Sequence, residues 1–311
     1  RAMAELRLLG LGDWLDGRVR HHGLRLAGFG ASVQVPWPGP SFPPVSSAVP
    51  RTELDDRVRK AAGEAGAAML LGAKAVGVVR DSAGRVSAVE LADGRRVSCR
   101  WLIVADGARS TLGRTLGRQW HRETVYGVAA RGYLASPRAA EEWISSDLEL
   151  RSTDGQVLPG YGWIFPLGNG EVNIGVGALA TAKRPADVAL RPLIKHYAES
   201  KRDEWGFESA PRAVSSALLP MGGAVSGVAG PNWLLVGDAA ANALMEENSP
   251  VQEPIQPMNR NAARVALSVI TSPGTPDSMA ARMVVPSASC WSSQAGLNCP
   301  ISAPDPRKVA L

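Results

Sequence analysis

Residues 100–110, RWLIVADGARS, and residues 232–240, NWLLVGDAA, decide the fold. Each is a short apolar run, Trp101–Val104 and Trp233–Val236, that breaks into a loop of small residues carrying one acid and one glycine. An apolar run of four bounded by turn residues reads as a buried strand. In an α/β sheet the carboxyl end of such a strand is where ligands bind. Asp106 can accept a hydrogen bond from a ribose hydroxyl, and Gly107 permits close backbone approach. Gly237, Asp238 and Ala239 repeat the arrangement, with small residues that let a flat ligand or a strand pack close. Each motif also has a plain structural reading: an Asp–Gly turn capped by Ser110, and a helix cap at Asp238.

Working outward, the order of elements is α/β, then β-rich, then α/β again. Residues 2–15 predict an amphipathic helix with Leu6, Leu8 and Leu9 on its apolar face. GLRLAGFGASVQV (23–35) predicts strand–turn–strand. The proline-rich 37–44 predicts an ordered loop. Leu54, Val58 and Ala62 give a helix capped by Thr52 and ended by Gly66. Residues 67–80 read as strand, followed by turns at Asp81–Gly84 and Asp93–Gly94. Between 123 and 220, TVYGVAARGYL, WISSDLEL, YGWIFPL and EVNIGVGAL read as strands of an antiparallel sheet with one covered face, and 185–197 as a helix. After about 267 the periodicity fails in a Pro/Ser-rich stretch, which predicts a disordered tail.

Two further groups carry chemistry. Arg51 can make charge-assisted bonds to a phosphate or a ring carbonyl, or simply pair with Asp55 one turn on. Tyr161, Trp163 and Phe165 alternate along one strand and share a face. They can wall an apolar substrate or form an ordinary aromatic core, and Pro166 is expected to bend the chain out of the sheet.

Composition excludes several classes. The 311 residues are 45% hydrophobic and 20% charged, with a net charge of +5, which is ordinary for a globular chain. The tightest basic group, Arg18 to Arg25, has no interleaved aromatics, so no nucleic-acid partner is expected. Three cysteines without metal-ligand spacing argue for reduced thiols. No apolar run is long enough to span a bilayer and no signal peptide is evident. A cytoplasmic protein is expected, with room for peripheral contact at the inner face of a membrane.

Taken in order, the Arg51-x-x-x-Asp55 segment, ADGARS, YGWIFPLGNGEVNIGVG and LLVGDAA resemble the geranylgeranyl reductase family. These are FAD-dependent oxidoreductases of the p-hydroxybenzoate hydroxylase fold class. The resemblance runs from about residue 1 to about residue 240. It implies that Arg51, Asp106, Gly107, Gly237, Asp238 and Ala239 contact FAD. It implies that Tyr161, Trp163 and Phe165 face an apolar isoprenoid substrate. The implied fold is α/β with a β-rich insertion: an incomplete Rossmann-like FAD-binding domain (1–122), an antiparallel substrate domain (123–220), a returning FAD-binding segment (221–266) and a disordered tail (267–311). The implied reaction is flavin-dependent reduction of carbon–carbon double bonds in a geranylgeranyl lipid or prenyl quinone, with NADPH or another electron donor.

The chain departs from the family pattern twice. No G-x-G-x-x-G loop is present, nor the family's cysteine-containing segment ahead of RAMAELRLLGL, as if about forty or more of the family's first residues, the pyrophosphate loop included, were missing. After Ala240 the family's glycine-rich crossover is replaced by a segment with Pro250, Pro254 and Pro257. These departures predict impaired FAD binding and self-association through exposed sheet edges. The alternatives are an FAD-dependent monooxygenase or halogenase-like enzyme, and a noncatalytic remnant or interaction module.

Overall fold

The seven-stranded sheet begins with a hairpin from far upstream in the chain. The computed structural model describes residues 2–37, 43–121, 123–181 and 188–241. In chain order the elements are α1 (Ala2–Leu8), α2 (Gly12–Asp16), β1 (Gly23–Gly28), β2 (Ala31–Pro36), α3 (Arg51–Glu64), β3 (Ala75–Arg80), β4 (Val86–Leu91), β5 (Arg96–Ser98), β6 (Leu102–Val104), α4 (Thr111–Leu116) and β7 (Gln119–Trp120). There follow β8 (Tyr126–Ala135), β9 (Trp143–Asp147), β10 (Gly160–Pro166), β11 (Glu171–Ala180), α5 (Leu190–Ser200), α6 (Arg202–Trp205), β12 (Arg212–Pro220), β13 (Val225–Ser226), β14 (Ala229–Gly230), β15 (Trp233–Leu235) and a 3-10 turn, Gly237–Ala240. They form two compact units, Arg1–Asp55 with Arg122–Pro220, and Asp56–His121 with Met221–Leu311.

The first unit is built on a sheet in the order β12-β8-β11-β10-β9-β1-β2. All pairings are antiparallel except β1 with β9, so the sheet is mixed. The parallel ladder from Gly23↔Trp143 to Ala27↔Asp147 takes residues 23–36 into this sheet, whereas the sequence expectation kept 1–122 together. Period-two alternation explains one covered face: Val172, Ile174, Val176 and Ala178 of β11 are buried, and Ile164 of β10 joins them. Leu193, Ile194, Tyr197 and Ala198 form the buried stripe of α5 and pack into the same core with Trp205 and Phe207. Fully burying each of these aliphatic side chains contributes about 1.5–3 kcal/mol.

The second unit contains the β3–β4–β5 meander, the β14–β15–β6 sheet and the small β13–β7 pair. Val86, Val104, Leu112, Leu116, Trp233, Leu235 and Ala239 form its core. The Asp–Gly turns expected at 81–84 and 93–94 are where the meander reverses.

Several local expectations change. The helix predicted over 2–15 is two helices, separated at Gly10 with φ +76°. Leu8 is 78% exposed, and the buried residues of this region are instead Leu11 and Leu15. Helix α3 starts at Arg51, so Thr52 lies inside it, and the Pro50 carbonyl accepts the Glu53 and Leu54 N–H groups. Residues 67–74 are not strand; β3 begins only at Ala75, after the glycine turn at Gly72. Pro166 pairs with Val172 as the last residue of β10. Residues 38–42 of the proline-rich loop, 182–187 of the expected helix, most of the expected returning segment 221–266 and the whole expected tail 267–311 lie outside the described residues.

Candidate functional site

Strands β6 and β15 run parallel in register, Leu102↔Trp233 through Val104↔Leu235, and the Val236 N–H donates to the Val104 carbonyl at 2.9 Å. Their carboxyl ends therefore lie side by side, bringing the Ala105–Arg109 loop next to Gly237–Ala240. Asp106, Gly107, Gly237, Asp238 and Ala239 thus belong to one pair of adjacent strand ends. Gly107 has φ +80°, and a Cβ built there would meet nothing within 4 Å. Backbone conformation, not crowding, demands glycine at this position, and the loop's outer side is open to a ligand.

The first turn of α4 is closed by the same loop. Asp106 Oδ2 accepts the Leu112 N–H at 3.0 Å, and Ser110 Oγ accepts the Gly113 N–H at 2.9 Å. The structural reading of this motif therefore holds, and the second carboxylate oxygen of Asp106 is not the one used in the cap. A Cβ on Gly113 would lie 2.4 Å from Ser110 Oγ and 2.9 Å from Leu235 Cδ2, so glycine lets the cap and β15 pack together. At the other strand end the N-cap position of the 3-10 turn is Val236, whose side chain makes no cap hydrogen bond, and Asp238 lies in the first turn. Ala239 is fully buried, a packing role that its small size explains.

Sequence reading missed two polar residues here. Asn232 is buried, and its Oδ1 accepts the Val86 N–H at 2.9 Å. Its Nδ2 donates to the Val86 carbonyl at 2.7 Å and the Arg100 carbonyl at 2.9 Å. One amide thereby ties β15 to β4 and to the entry of β6. Arg118 is also buried, with its guanidinium over the Trp120 ring at 5.1 Å. Its Nε and Nη2 have no hydrogen-bond partner among the described residues. Burial pushes its pKa down, and the charge of Asp106 partly restores it. Nothing in the local sequence distinguishes Arg118 from the many surface arginines.

Arg51, Tyr161, Trp163 and Phe165 belong to the other unit. The three aromatics do share one face of β10, with ring centroids 5.7 Å and 6.1 Å apart. Trp163 lies flat across β11: a Cβ on Gly175 would come within 2.0 Å of its ring. Its Nε1–H donates to Asn173 Oδ1 at 3.0 Å. The glycines of NIGVG therefore serve as a floor for the indole. Tyr161 is 48% exposed, which argues against a closed aromatic core. On the opposite face Gly162 makes room for the ring of Tyr197, whose hydroxyl donates to Asp147, with Lys201 on the other carboxylate oxygen. Burial and the Asp147 charge hold the Tyr197 pKa well above its ordinary value. Arg51 pairs with Asp55 at 2.9 Å on an exposed surface, as its plain reading anticipated.

His21 is a further buried group that sequence alone did not single out. Its Nε2–H donates to the Pro166 carbonyl at 3.0 Å, at the end of the aromatic strand. Burial lowers its pKa to about 4, so the ring is neutral at pH 7. Among the described residues no cluster of His, Cys, Asp and Glu is arranged to hold a metal, and no helix is long and apolar enough to cross a membrane.

A family described as FAD binding domain matches residues 2–222. The chain is 66% identical over 277 residues to the menaquinone reductase of Mycolicibacterium smegmatis, covering 89% of this chain and 66% of that protein. It is 70% identical over 241 residues to the menaquinone reductase of Mycobacterium tuberculosis, covering 78% of this chain and 59% of that protein. The chain thus spans less than two thirds of the length of these relatives. A crystal structure of a geranylgeranyl bacteriochlorophyll reductase-like protein from Thermoplasma acidophilum superposes with a TM-score of 0.59 at 20% identity, covering 75% of this chain and 59% of that one. At that identity the likeness concerns the fold.

Proposed function

This chain belongs to the FAD binding domain family, and from that membership we propose that it is part of a flavin-dependent reductase of carbon–carbon double bonds in the isoprenoid side chain of a menaquinone-type quinone. The observation that carries the reading is 66% identity over 277 residues to a menaquinone reductase. The alternating aromatic row on β10, laid over glycines and half open to solvent, supports it, because a flat apolar face suits a prenyl chain.

In this proposal the adjacent strand ends hold the cofactor. Asp106 and Asp238 accept hydrogen bonds from ribose hydroxyls, and Gly107, Gly237 and Ala239 let the dinucleotide approach the backbone. The Arg51 guanidinium leaves Asp55, a weak exposed partner, for an acceptor on the cofactor. When bound and reduced, FAD would supply the hydride for one alkene carbon, with a proton completing the other. The residues of this chain align the alkene and keep water away from it: Tyr161, Trp163 and Phe165 restrict the prenyl chain to one plane. NADPH or another donor would supply the electrons. Contact with the membrane that carries the quinone is peripheral. The exposed edge strand β2, with Val33 and Val35 in water, is the surface for self-association.

The test starts from the 311-residue chain incubated with excess FAD and freed of unbound cofactor. Retained flavin is read from the visible spectrum. The loaded protein, reduced with dithionite without oxygen, is then given a short-chain menaquinone, and the product is weighed by mass spectrometry. A gain of two hydrogens in the side chain is expected. Retained FAD with no side-chain reduction overturns the reading.

A further inference from the structure

The face of the seven-stranded sheet that carries the aromatic row also carries a patch of polar groups, and these groups share one property. Cross-strand register places them together: Phe165↔Asn173↔Tyr133 form one row, and Trp163↔Gly175↔Arg131 the next. The Tyr133 hydroxyl accepts the Arg131 Nη1–H at 2.8 Å and, at a longer 3.4 Å, the backbone N–H of Arg51. A phenol has two acceptor lone pairs and one donor hydrogen. Both lone pairs of Tyr133 therefore face donors, and its O–H has no acceptor among the described residues. Asn173 repeats the pattern. Its carbonyl oxygen is taken by the Trp163 indole, which leaves its amide hydrogens as donors.

Arg131 is the third member. The neighbouring arginines have carboxylates: Arg51 holds Asp55 and Arg212 holds Glu171. Arg131, half-buried beside Gly175, pairs with no carboxylate among the described residues. Its hydrogen bond goes to a neutral phenol, whose ring it also approaches at 5.6 Å. Arg131, Tyr133 and Asn173 thus present mainly hydrogen-bond donors, with the second lone pair of Asn173 Oδ1 the remaining acceptor, next to an apolar aromatic wall. A donor cut off from water and left unpaired costs about 1–3 kcal/mol, so a ligand that covers these half-buried donors is favoured if it brings acceptor oxygens attached to an apolar body.

We propose that Arg131 and Tyr133, with Asn173 beside them, bind a carbonyl oxygen of the quinone ring and so fix how far along the aromatic row the side chain reaches. Arg131 and Tyr133 are specificity-determining residues in this assignment. It rests on the reading of the substrate as a prenyl quinone, and it adds which end of that molecule is held and by what. The positions of the donor patch and of Tyr161–Phe165 then act as a ruler: the ring is anchored at one place and a particular double bond is presented at another.

The test compares two probes on the FAD-loaded 311-residue chain. One is a menaquinone with two prenyl units. The other is the same naphthalene and side chain with both carbonyl oxygens removed. Dissociation constants are read by tryptophan fluorescence quenching for the parent, Tyr133→Phe and Arg131→Gln, each first shown to be folded by circular dichroism. Each substitution is expected to weaken the quinone about tenfold, equal to ~1.4 kcal/mol. Both are expected to leave the carbonyl-free probe and the retained FAD unchanged. Equal weakening of both probes assigns the residues to packing and overturns the proposal. Loss of FAD with unchanged quinone binding assigns the donors to the cofactor and also overturns it. Quinone binding that responds as expected, without side-chain reduction, supports the donor patch and defeats the reductase reading instead. Side-chain reduction with quinone binding indifferent to both substitutions does the reverse.

Discussion

Each of the two units is pinned by buried polar side chains, and the pins compared between them differ in whether they ionise. In the unit with the seven-stranded sheet the pins ionise: Asp147 holds Tyr197 and Lys201 between β9 and α5, and His21 holds the Pro166 carbonyl at the end of β10. In the other unit two buried pins are neutral at every ordinary pH: the Asn232 amide ties β15 to β4, and the Ser110 hydroxyl caps α4 beside the Asp106 carboxylate. Both kinds satisfy buried groups. The ionisable ones make the stability of their unit depend on protons, and removing one partner leaves an uncompensated charge behind. The neutral ones expose their unit only to the cost of an unmade hydrogen bond.

The largest effect expected from this contrast is that of Asp147→Ala. It strips Lys201 and Tyr197 of their shared acceptor, and breaking a buried pair on one side costs about 3–5 kcal/mol. Lys201 keeps some solvent contact, and Glu204 lies at 3.5 Å, which favours the lower end of the range. Urea unfolding at pH 7 measures it, and a loss below 1 kcal/mol would show that the pin is ornamental.

A second break in the contrast is made with pH. The folded pKa of His21, about 4, is below its ordinary value of 6.5. As pH falls below 6.5 the unfolded chain binds a proton that the folded chain refuses, so stability decreases between pH 6.5 and 4 and levels off below. Linkage puts the total at up to about 3 kcal/mol. Tyr197 acts at the other extreme, because its raised pKa makes stability fall as pH rises above 10. In His21→Gln the acid slope of the unfolding free energy should flatten. An unchanged slope would place the acid sensitivity elsewhere.

For the neutral pins, Asn232→Ala removes three hydrogen bonds and leaves the buried Val86 N–H unpaired. A loss of about 2–3 kcal/mol is expected, with the same value at pH 5 and pH 8. A pH-dependent loss would contradict the distinction between the units. Hydrogen exchange at the Val86 amide, accelerated in the variant, locates the effect. The smallest is Ser110→Ala, which loses one cap at a cost of about 1 kcal/mol, read from the shift in the urea midpoint of the same unfolding curve.

Much of the strand order was legible because alternation is a local signal. YGWIFPL and EVNIGVGAL each carry the period-two pattern in full, and the structure pairs them as β10 and β11 with Tyr161, Trp163 and Phe165 on one side. The hairpin at 23–35 was equally legible, but not its destination: no local feature of GLRLAG announces a parallel partner at Trp143–Asp147. The failed prediction over 2–15 has a similar origin. Leucine spacing indicated an apolar face, yet what buries Leu11 and Leu15, and leaves Leu8 in water, is packing that lies outside the window. Among the candidate site residues, the sequence placed Asp106, Gly107, Gly237, Asp238 and Ala239 correctly at strand ends. It left undetected that Arg118 and Asn232 are buried beside them, since a single arginine or asparagine has no spacing to betray it.

What this sequence determined by itself is whatever is encoded within a few residues: strands from alternation, turns from Asp–Gly pairs, and the short motifs whose order resembles a flavin-binding family. What only the tertiary structure decided is which faces and which polar groups meet. Trp163 requires a glycine twelve residues further on as its floor, Gly162 requires Tyr197 as its occupant, and Tyr133 becomes a pure donor only because Arg131 and the Arg51 amide arrive at its oxygen. The reason is physical. Local backbone preference depends on neighbours along the chain, whereas close packing and hydrogen-bond saturation depend on neighbours in space, and a linear reading contains only the first.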